Sequence, residues 1–200
     1  MEEINAALEN EMGFEVWFPK LLHYSLVETT TGNYKNFTEI AAATFKMTAG
    51  KFDKSFTNSE IKNILSEITK LPPYPDVKPG LQQLKNSGYK LIAFSNGKPD
   101  VLKSQLEFAE IDSFFDGIHS VEEIEKYKPH PNSYQYILSK YETKAKNALM
   151  VAAHAWDILG AKRANLKTCF IERPGKSFYH LAKKPEITVS GIDEIAENLN

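Results

Sequence analysis

The sequence predicts an α/β protein in which a parallel sheet with helices on both faces follows a small helical domain. Three observations support this fold class. The first 70 residues show only helical periodicity, whereas helices alternate with short, β-rich apolar runs after residue 76. The segment 70–76 contains three prolines and cannot continue a helix. We therefore predict a helical domain over residues 1–73 and an α/β core over residues 74–200.

The helical domain is predicted to contain three helices. The first is indicated by an apolar stripe at helical spacing, formed by Phe14, Trp17, Phe18, Leu21, Leu22 and Leu26. Pro19 interrupts this stripe and marks either the start of the helix or a kink. Asn36 and Thr57 each precede a glutamate by three residues, the pattern of a capping box that opens a helix. Gly50 supplies a stop signal between these two helices.

The core is predicted from alternating element types. Its helices fall near 77–87, 99–109, 131–141 and 156–164, and its strands near 90–95, 148–153, 168–172 and 187–189. Strands that are almost continuously apolar are typical of a parallel sheet covered on both faces. In such a sheet the active site lies at the carboxyl ends of the strands. Polar residues that directly follow the strands are therefore the candidates for a site.

Composition and charge restrict the class of protein. Of the 200 residues, 42% are hydrophobic and 25% charged, as in ordinary globular domains, and a net charge of −2 argues against nucleic-acid binding. No apolar stretch approaches the roughly 20 residues of a membrane span, and the N terminus lacks the features of a signal peptide. The single cysteine, Cys169, favours a buried structural thiol in a reducing compartment. We expect a cytoplasmic protein without nucleic-acid or membrane partners.

Three polar stretches follow predicted strands, and each has two interpretations. Ser95, Asn96 and Gly97 can hold an anion through side-chain and backbone donors, or simply form a strand-to-helix turn. Lys128 can hold a carboxylate or neutralise developing charge, or be a solvated surface lysine. Asp157 can orient a water, pair with Lys128 or help bind a metal, or cap the next helix.

Together, a serine, a lysine and an aspartate follow one another in order at one sheet edge. This order resembles the haloacid dehalogenase superfamily, whose motifs place Ser or Thr, then Lys, then acidic residues along the core. The resemblance is closest to the 2-haloacid dehalogenase branch and extends from about Trp17 to Leu199. It is carried by Leu71-Pro72-Pro73-Tyr74-Pro75-Asp76-Val77, Ser95-Asn96-Gly97-Lys98-Pro99-Asp100, Tyr127-Lys128-Pro129-His130-Pro131, Tyr134, and Ala155-Trp156-Asp157 through Gly160-Ala161.

The resemblance implies a Rossmann-like core, a helical cap and a hydrolytic mechanism. An aspartate attacks the carbon that bears the leaving group, and water hydrolyses the resulting ester. The resemblance assigns Ser95 and Lys128 to positioning the substrate carboxylate and the nucleophile, with Tyr134 nearby. Asp157 would organise the nucleophile, Lys128 and the hydrolytic water. A small anionic substrate, no cofactor and a homodimer are also implied.

The resemblance assigns further substrate contacts, and there the sequence departs from the family. Asn96 would contact the departing halide, and Trp156 would form an apolar wall. The serine and asparagine often found before residue 155 are Ala152 and His154 here, and a histidine can donate to an anion or exchange a proton near neutral pH. Glu28 falls where the cap usually carries an arginine, and a carboxylate there would repel halide. These departures point to an altered substrate or leaving group.

The largest departure concerns the nucleophile. In the family it lies on the first core strand, in a pattern such as Asp-x-x-x-Thr after an apolar run. Asp53 comes nearest here, but no apolar strand precedes it, and Asp112 and Asp116 lie in a helix-to-strand connection. We therefore predict that the nucleophile strand is missing, through an artificially shortened chain, a gene fragment or a misassigned start at Met1.

Two alternatives stay open beside the dehalogenase. Phosphatases of the superfamily bind Mg²⁺ and usually have a carboxylate four residues before the final aspartate, where this chain has Ala153. Losing a hard oxygen ligand favours metal-free chemistry. The absent nucleophile also fits a catalytically inactive binding or dimerising module. Retention of Ser95, Lys128, Trp156 and Asp157 together favours the enzyme.

Overall fold

The computed structural model describes residues 2–199, which fold as two compact units. The first unit comprises residues up to 72 together with 94–112 and 118–127. The second comprises 73–93, 113–117 and the chain from 128 onward. The domain division predicted at residues 73 and 74 stays a prediction. No helix among the described residues is long and apolar enough to cross a membrane.

The elements alternate after residue 76, as the sequence predicts. The described helices are α1 (Glu2–Leu8), α2 (Gly13–Thr31), α3 (Phe37–Lys51), α4 (Asn58–Ser66), α5 (Val77–Asn86), α6 (Pro99–Phe108), α7 (Pro131–Lys140) and α8 (Ala155–Arg163). The strands are β1 (Ile92–Ser95), β2 (Gly117–Ser120), β3 (Leu149–Ala152), β4 (Lys167–Ile171) and β5 (Ile187–Val189).

Both predicted capping boxes are confirmed in the first unit. Asn36 Oδ1 accepts from the backbone N–H of Glu39 at 3.0 Å, and Glu39 Oε2 accepts from the N–H of Asn36 at 3.1 Å. Thr57 makes the same reciprocal pair with Glu60 at the start of α4. Pro19 lies inside α2, so the interpretation that it starts the helix is wrong.

The core of the first unit is built around Trp17, which is 1% exposed. Its indole N–H donates to the Ala41 carbonyl at 3.1 Å, and its ring lies edge-on to Phe45 at 6.3 Å between centroids. Burial of such aromatic side chains dominates the stability of a small helical unit. Leu26, the last residue of the predicted stripe, is instead 41% exposed.

The strands form two separate sheets. β1 pairs with β2, and β3, β4 and β5 form a sheet in that order with both pairings parallel. Cys169 lies at the centre of β4, opposite Val151 of β3 and Ile187 of β5. The parallel arrangement is confirmed. β2 was not predicted, because its four residues include a single β-branched apolar side chain, Ile118.

The connection after β4 is held at its start by an ion pair. Both carboxylate oxygens of Asp76 accept from the guanidinium of Arg173, at 2.8 and 2.6 Å, and one also accepts from the N–H of Ile192 at 2.8 Å. The guanidinium lies 4.3 Å from the ring centre of Tyr74. These hydrogen bonds from Arg173 lower the pKa of Asp76. A bidentate, stacked arginine fixes orientation as well as charge.

A second carboxylate holds the other end of the same connection. Glu186 accepts from Lys162 at 2.7 Å and from both the N–H and the hydroxyl of Thr168 at 2.8 Å. Partial burial opposes ionisation, but these hydrogen bonds outweigh it and lower the pKa of Glu186 to about 2. The residues between Arg173 and Glu186 therefore form a loop with two fixed ends.

Candidate active site

A buried ion pair joins the segment before α7 to the first turn of α8. Lys128 Nζ lies 2.7 Å from Asp157 Oδ2, and the two side chains are only 6% and 7% exposed. The interpretation of Lys128 as a solvated surface lysine is therefore wrong. The capping interpretation of Asp157 is also wrong, because His154 occupies the N-cap of α8. Since neither charge has access to bulk water, each depends on the other for its stability.

Tyr134 of α7 completes the group around Asp157. Its hydroxyl lies 2.7 Å from Asp157 Oδ1 and 3.0 Å from the Asp157 carbonyl oxygen. Burial, followed by the charge of Asp157, raises the pKa of Tyr134, so the phenol stays neutral and donates. Both carboxylate oxygens of Asp157 thus have a defined partner. The structure brings Lys128, Tyr134 and Asp157 together, and the negative charge of Asp157 is held beside the ammonium of Lys128.

Gly160, one turn after Asp157 on α8, belongs to the stretch that carries the family resemblance, but the sequence assigned it no role in the site. A Cβ built there would contact Pro129 and lie 2.5 Å from the Tyr134 hydroxyl oxygen. Only glycine permits this approach of α7 and residue 129 to α8. Its signal in the sequence was a glycine inside a predicted helix, three residues after the candidate aspartate.

His154 and Trp156 flank the ion pair on the same stretch of chain. Their ring centres are 5.6 Å apart. Burial, followed by the positive charge of Lys176, lowers the pKa of His154, against a smaller opposing effect from Asp157. His154 is therefore biased towards its neutral form. The indole nitrogen of Trp156 is buried and has no hydrogen-bond acceptor within residues 2–199.

Ser95 and Asn96 belong to the first unit, at the end of β1. Ser95 Oγ accepts from the N–H of Gly97 at 3.0 Å, and the Ser120 hydroxyl donates to the Gly97 carbonyl at 2.7 Å. Asn96 is 8% exposed. The turn interpretation is thus confirmed, while anion binding by this turn stays a prediction. The convergence of Ser95 with Lys128 and Asp157 also stays a prediction.

None of the aspartates considered as nucleophile has the expected setting in the described chain. Asp53 is exposed, with φ of 53°, between α3 and α4. Asp116 accepts from Lys85 and from the N–H of Leu91, both at 2.8 Å, and these bonds lower its pKa. Asp112 begins a short 3₁₀ helix, Asp112–Phe114, after α6 and does not follow a strand.

The donor set around Asp157 does not fit a hard divalent cation. Within the described residues no three His, Cys, Asp or Glu side chains are grouped as metal ligands. Position 153 is an alanine, and both carboxylate oxygens of Asp157 already accept from Lys128 and Tyr134. Mg²⁺ requires several oxygen ligands. To bind the carboxylate of Asp157, it would have to displace the ammonium of Lys128, which is also positively charged.

Comparison with known proteins gives consistent matches. The family model described as "Haloacid dehalogenase-like hydrolase" matches residues 17–171. Haloacetate dehalogenase H-2 of Moraxella sp. (strain B) is 27% identical over 180 residues, covering 90% of this chain and 80% of that protein. (S)-2-haloacid dehalogenase 2 of Pseudomonas sp. (strain CBS-3) is 26% identical over 193 residues, covering 95% and 84%.

Solved structures support the same fold. The structure of L-2-haloacid dehalogenase from Xanthobacter autotrophicus superposes with a TM-score of 0.91 at 22% identity. The match covers 99% of this chain and 90% of that one. The expected Rossmann-like α/β fold is therefore confirmed.

Proposed function

Since the chain belongs to the haloacid dehalogenase-like hydrolase family, we propose that it hydrolyses the carbon–halogen bond of a 2-haloacid through an aspartyl ester. Its homologues include 2-haloacid dehalogenases. The observation that carries the proposal is the buried group of Lys128, Tyr134 and Asp157. An ammonium that is paired and shielded from water is suited to binding a carboxylate substrate, because its electrostatic effect is stronger there than in bulk solvent.

The proposed reaction has two steps. A carboxylate oxygen attacks the carbon that bears the halogen, and the halide leaves with the electrons of the broken bond. Water then adds to the carbonyl carbon of the enzyme's ester, the bond to the substrate oxygen breaks, and a 2-hydroxyacid leaves while a proton passes to solvent. We propose that the attacking aspartate is absent from these 200 residues, because Asp53, Asp112 and Asp116 lack the setting that this step needs.

Each polar residue of the site has a proposed task. Lys128 binds the substrate carboxylate and lowers the energy of the charge that develops at the ester carbonyl. Asp157 holds that ammonium in place and orients the hydrolytic water, and Tyr134 fixes the carboxylate of Asp157. Ser95 and Asn96 contact the nucleophile and the departing halide.

We propose that the reaction needs no metal, because the donors around Asp157 are already occupied by cationic and hydroxyl groups. A magnesium-dependent phosphatase is the competing outcome. The proposed setting is cytoplasmic, because the single cysteine, Cys169, has no second cysteine with which to form an internal disulfide. Burial raises the pKa of its thiol to about 11. A homodimer is expected from the family resemblance alone.

The test compares the 200-residue chain with the same chain extended by the in-frame sequence upstream of Met1. Both proteins are assayed with a panel of 2-haloacids and with phosphate esters, with and without chelator. We expect the extended chain to release halide in the presence of chelator. Phosphate-ester hydrolysis that chelator abolishes, without halide release, contradicts the proposal. Inactivity of both proteins on every substrate supports the binding module instead.

A further inference from the structure

An apolar cavity that is largely open to solvent lies within the second unit beside the first turn of α8. It has a volume of about 620 Å³. Its lining residues are Ala155, Trp156, Leu159, Ser177, Phe178, Tyr179 and His180. Small-molecule sites have volumes of about 300–1,000 Å³ and combine apolar walls with a few polar groups, so this cavity has the size and composition of such a site.

One wall of the cavity is the loop between Arg173 and Glu186, whose ends are both fixed. In the middle of this loop the ring of Phe178 lies edge-on to Phe170 of β4, with centroids 5.7 Å apart. Phe170 itself is 1% exposed. A wall that is held by two ion pairs and by a buried aromatic ring is built into the fold, so a ligand does not have to order it on binding.

The opposite wall includes Trp156, which neighbours the candidate active site in the sequence. Trp156 immediately precedes Asp157, and its ring faces that of His154. Its buried indole N–H has no hydrogen-bond acceptor within residues 2–199, which leaves a donor that a ligand can satisfy. Lys176 of the loop and Lys128 both place positive charge near His154, and the negative charge of Asp157 partly offsets it. Such surroundings favour a ligand that carries an anionic group beside an apolar one.

We propose that this cavity binds the apolar substituent of a carboxylic acid, with preference for an aromatic or branched group over a methyl group. Identifying this acid as the substrate rests on the proposed function. The enzyme is then expected to act on 2-haloacids with a large substituent at the second carbon, and the loop of Ser177–His180 to set this preference.

Binding is tested without catalysis, using phenylacetate and acetate as probes on the 200-residue chain. The two tryptophans supply the readout through their ¹⁵N-labelled indole N–H resonances, which Trp156→Phe assigns. We expect phenylacetate to shift the Trp156 resonance saturably and to bind at least about tenfold more tightly than acetate, equivalent to about 1.4 kcal/mol. The Trp17 resonance stays unchanged, because its N–H is already bound to Ala41.

Substitutions in the loop test whether phenylacetate binds in this cavity. Phe178→Ala is expected to weaken phenylacetate binding about tenfold, as expected for losing one aromatic contact. Phe108→Ala, which removes an aromatic ring that is 51% exposed and does not line the cavity, leaves the affinity unchanged. If Phe178→Ala does not fold, Tyr179→Ala decides, since that ring lines the cavity and is 47% exposed.

Equal affinity for the two probes, or phenylacetate binding that the folded loop variant leaves intact, overturns the inference. Because binding requires no nucleophile, this outcome is separate from failure of the proposed hydrolysis. If the extended chain releases halide, the ratio of kcat/KM for 2-chloro-3-phenylpropanoate over 2-chloropropanoate should fall about tenfold in Phe178→Ala. An unchanged ratio overturns the assignment of the cavity to the substrate.

Discussion

Two carboxylates of the second unit are held in contrasting ways. Asp76 accepts three hydrogen bonds, two from a bidentate Arg173 and one from the backbone of Ile192, and these tie a loop to the start of the core. Asp157 accepts from a lysine ammonium and from the phenol of Tyr134, each through one oxygen. The first arrangement fixes backbone segments, whereas the second joins side chains of α7, α8 and the segment before α7.

The contrast shows that burial alone does not distinguish the proposed catalytic carboxylate from one that holds a loop in place. Asp76 and Arg173 are 15% and 13% exposed, not far from the 7% and 6% of Asp157 and Lys128. What differs is the type of partner. Backbone N–H groups and a planar guanidinium hold one geometry, but a single ammonium can exchange partners when an anionic substrate arrives.

The largest effect is expected from Lys128→Met. Without its ammonium, Asp157 becomes a buried charge without a cation, which costs about 3–5 kcal/mol of stability. Urea denaturation of the variant measures this cost. As a control, Lys103→Met removes an exposed lysine, 66% accessible, from a surface pair and should change stability by less than about 0.5 kcal/mol.

A smaller loss is expected from Arg173→Met, about 1.5–3 kcal/mol, because Asp76 keeps the hydrogen bond from Ile192 and some contact with water. The same denaturation experiment compares the two clusters directly. A loss that equals or exceeds that of Lys128→Met would show that the cluster around Asp157 is not the more strongly coupled one.

Gly160→Ala should cost about 1–3 kcal/mol through overpacking against Pro129 and the Tyr134 hydroxyl. Gly50→Ala is the matched control, since Gly50 also lies in a helix but a Cβ there meets nothing within 4 Å. That control should be neutral or stabilising, because alanine favours a helix. Equal effects in thermal unfolding would mean that Gly160 has no packing role.

The smallest effect concerns pH and His154. Its pKa in the folded protein lies below the usual 6.5, so the unfolded chain takes up a proton first as the pH falls. The stability contributed by neutral His154 is therefore complete above about pH 6.5 and declines as the pH falls towards the folded pKa. Unfolding free energies at pH 7.5 and 6.0 should differ less in His154→Asn than in the unsubstituted protein. An identical difference in the two proteins would show that His154 does not contribute to the pH dependence of stability.

Local signals account for the features that the sequence predicted well. The capping boxes at Asn36 and Thr57 depend on residues three apart, and the apolar runs of β3 and β4 are strand signals by themselves. Pairing between Lys128 and Asp157 was one of several interpretations, because their chain order at one sheet edge permits contact without requiring it.

Features that depend on distant packing were not predicted. The role of Gly160 arises from the positions of Pro129 and Tyr134, which no spacing in the sequence encodes. The loop wall at Phe178 depends on its packing against Phe170 and on anchors at residues far apart in the chain. Leu26 is likewise exposed, although its place in the apolar stripe predicts burial.

Binding of the substrate carboxylate by Lys128, in a metal-free site that releases halide, is the proposal on which the other assignments depend. It is tested most directly by chloride release from 2-chloropropanoate, with chelator present, in the N-terminally extended protein and its Lys128→Met and Lys103→Met variants. We expect release by the parent and by Lys103→Met, and a loss of at least about a hundredfold in Lys128→Met, as for removal of one charged transition-state contact. Release that persists unchanged in a folded Lys128→Met protein would contradict the account.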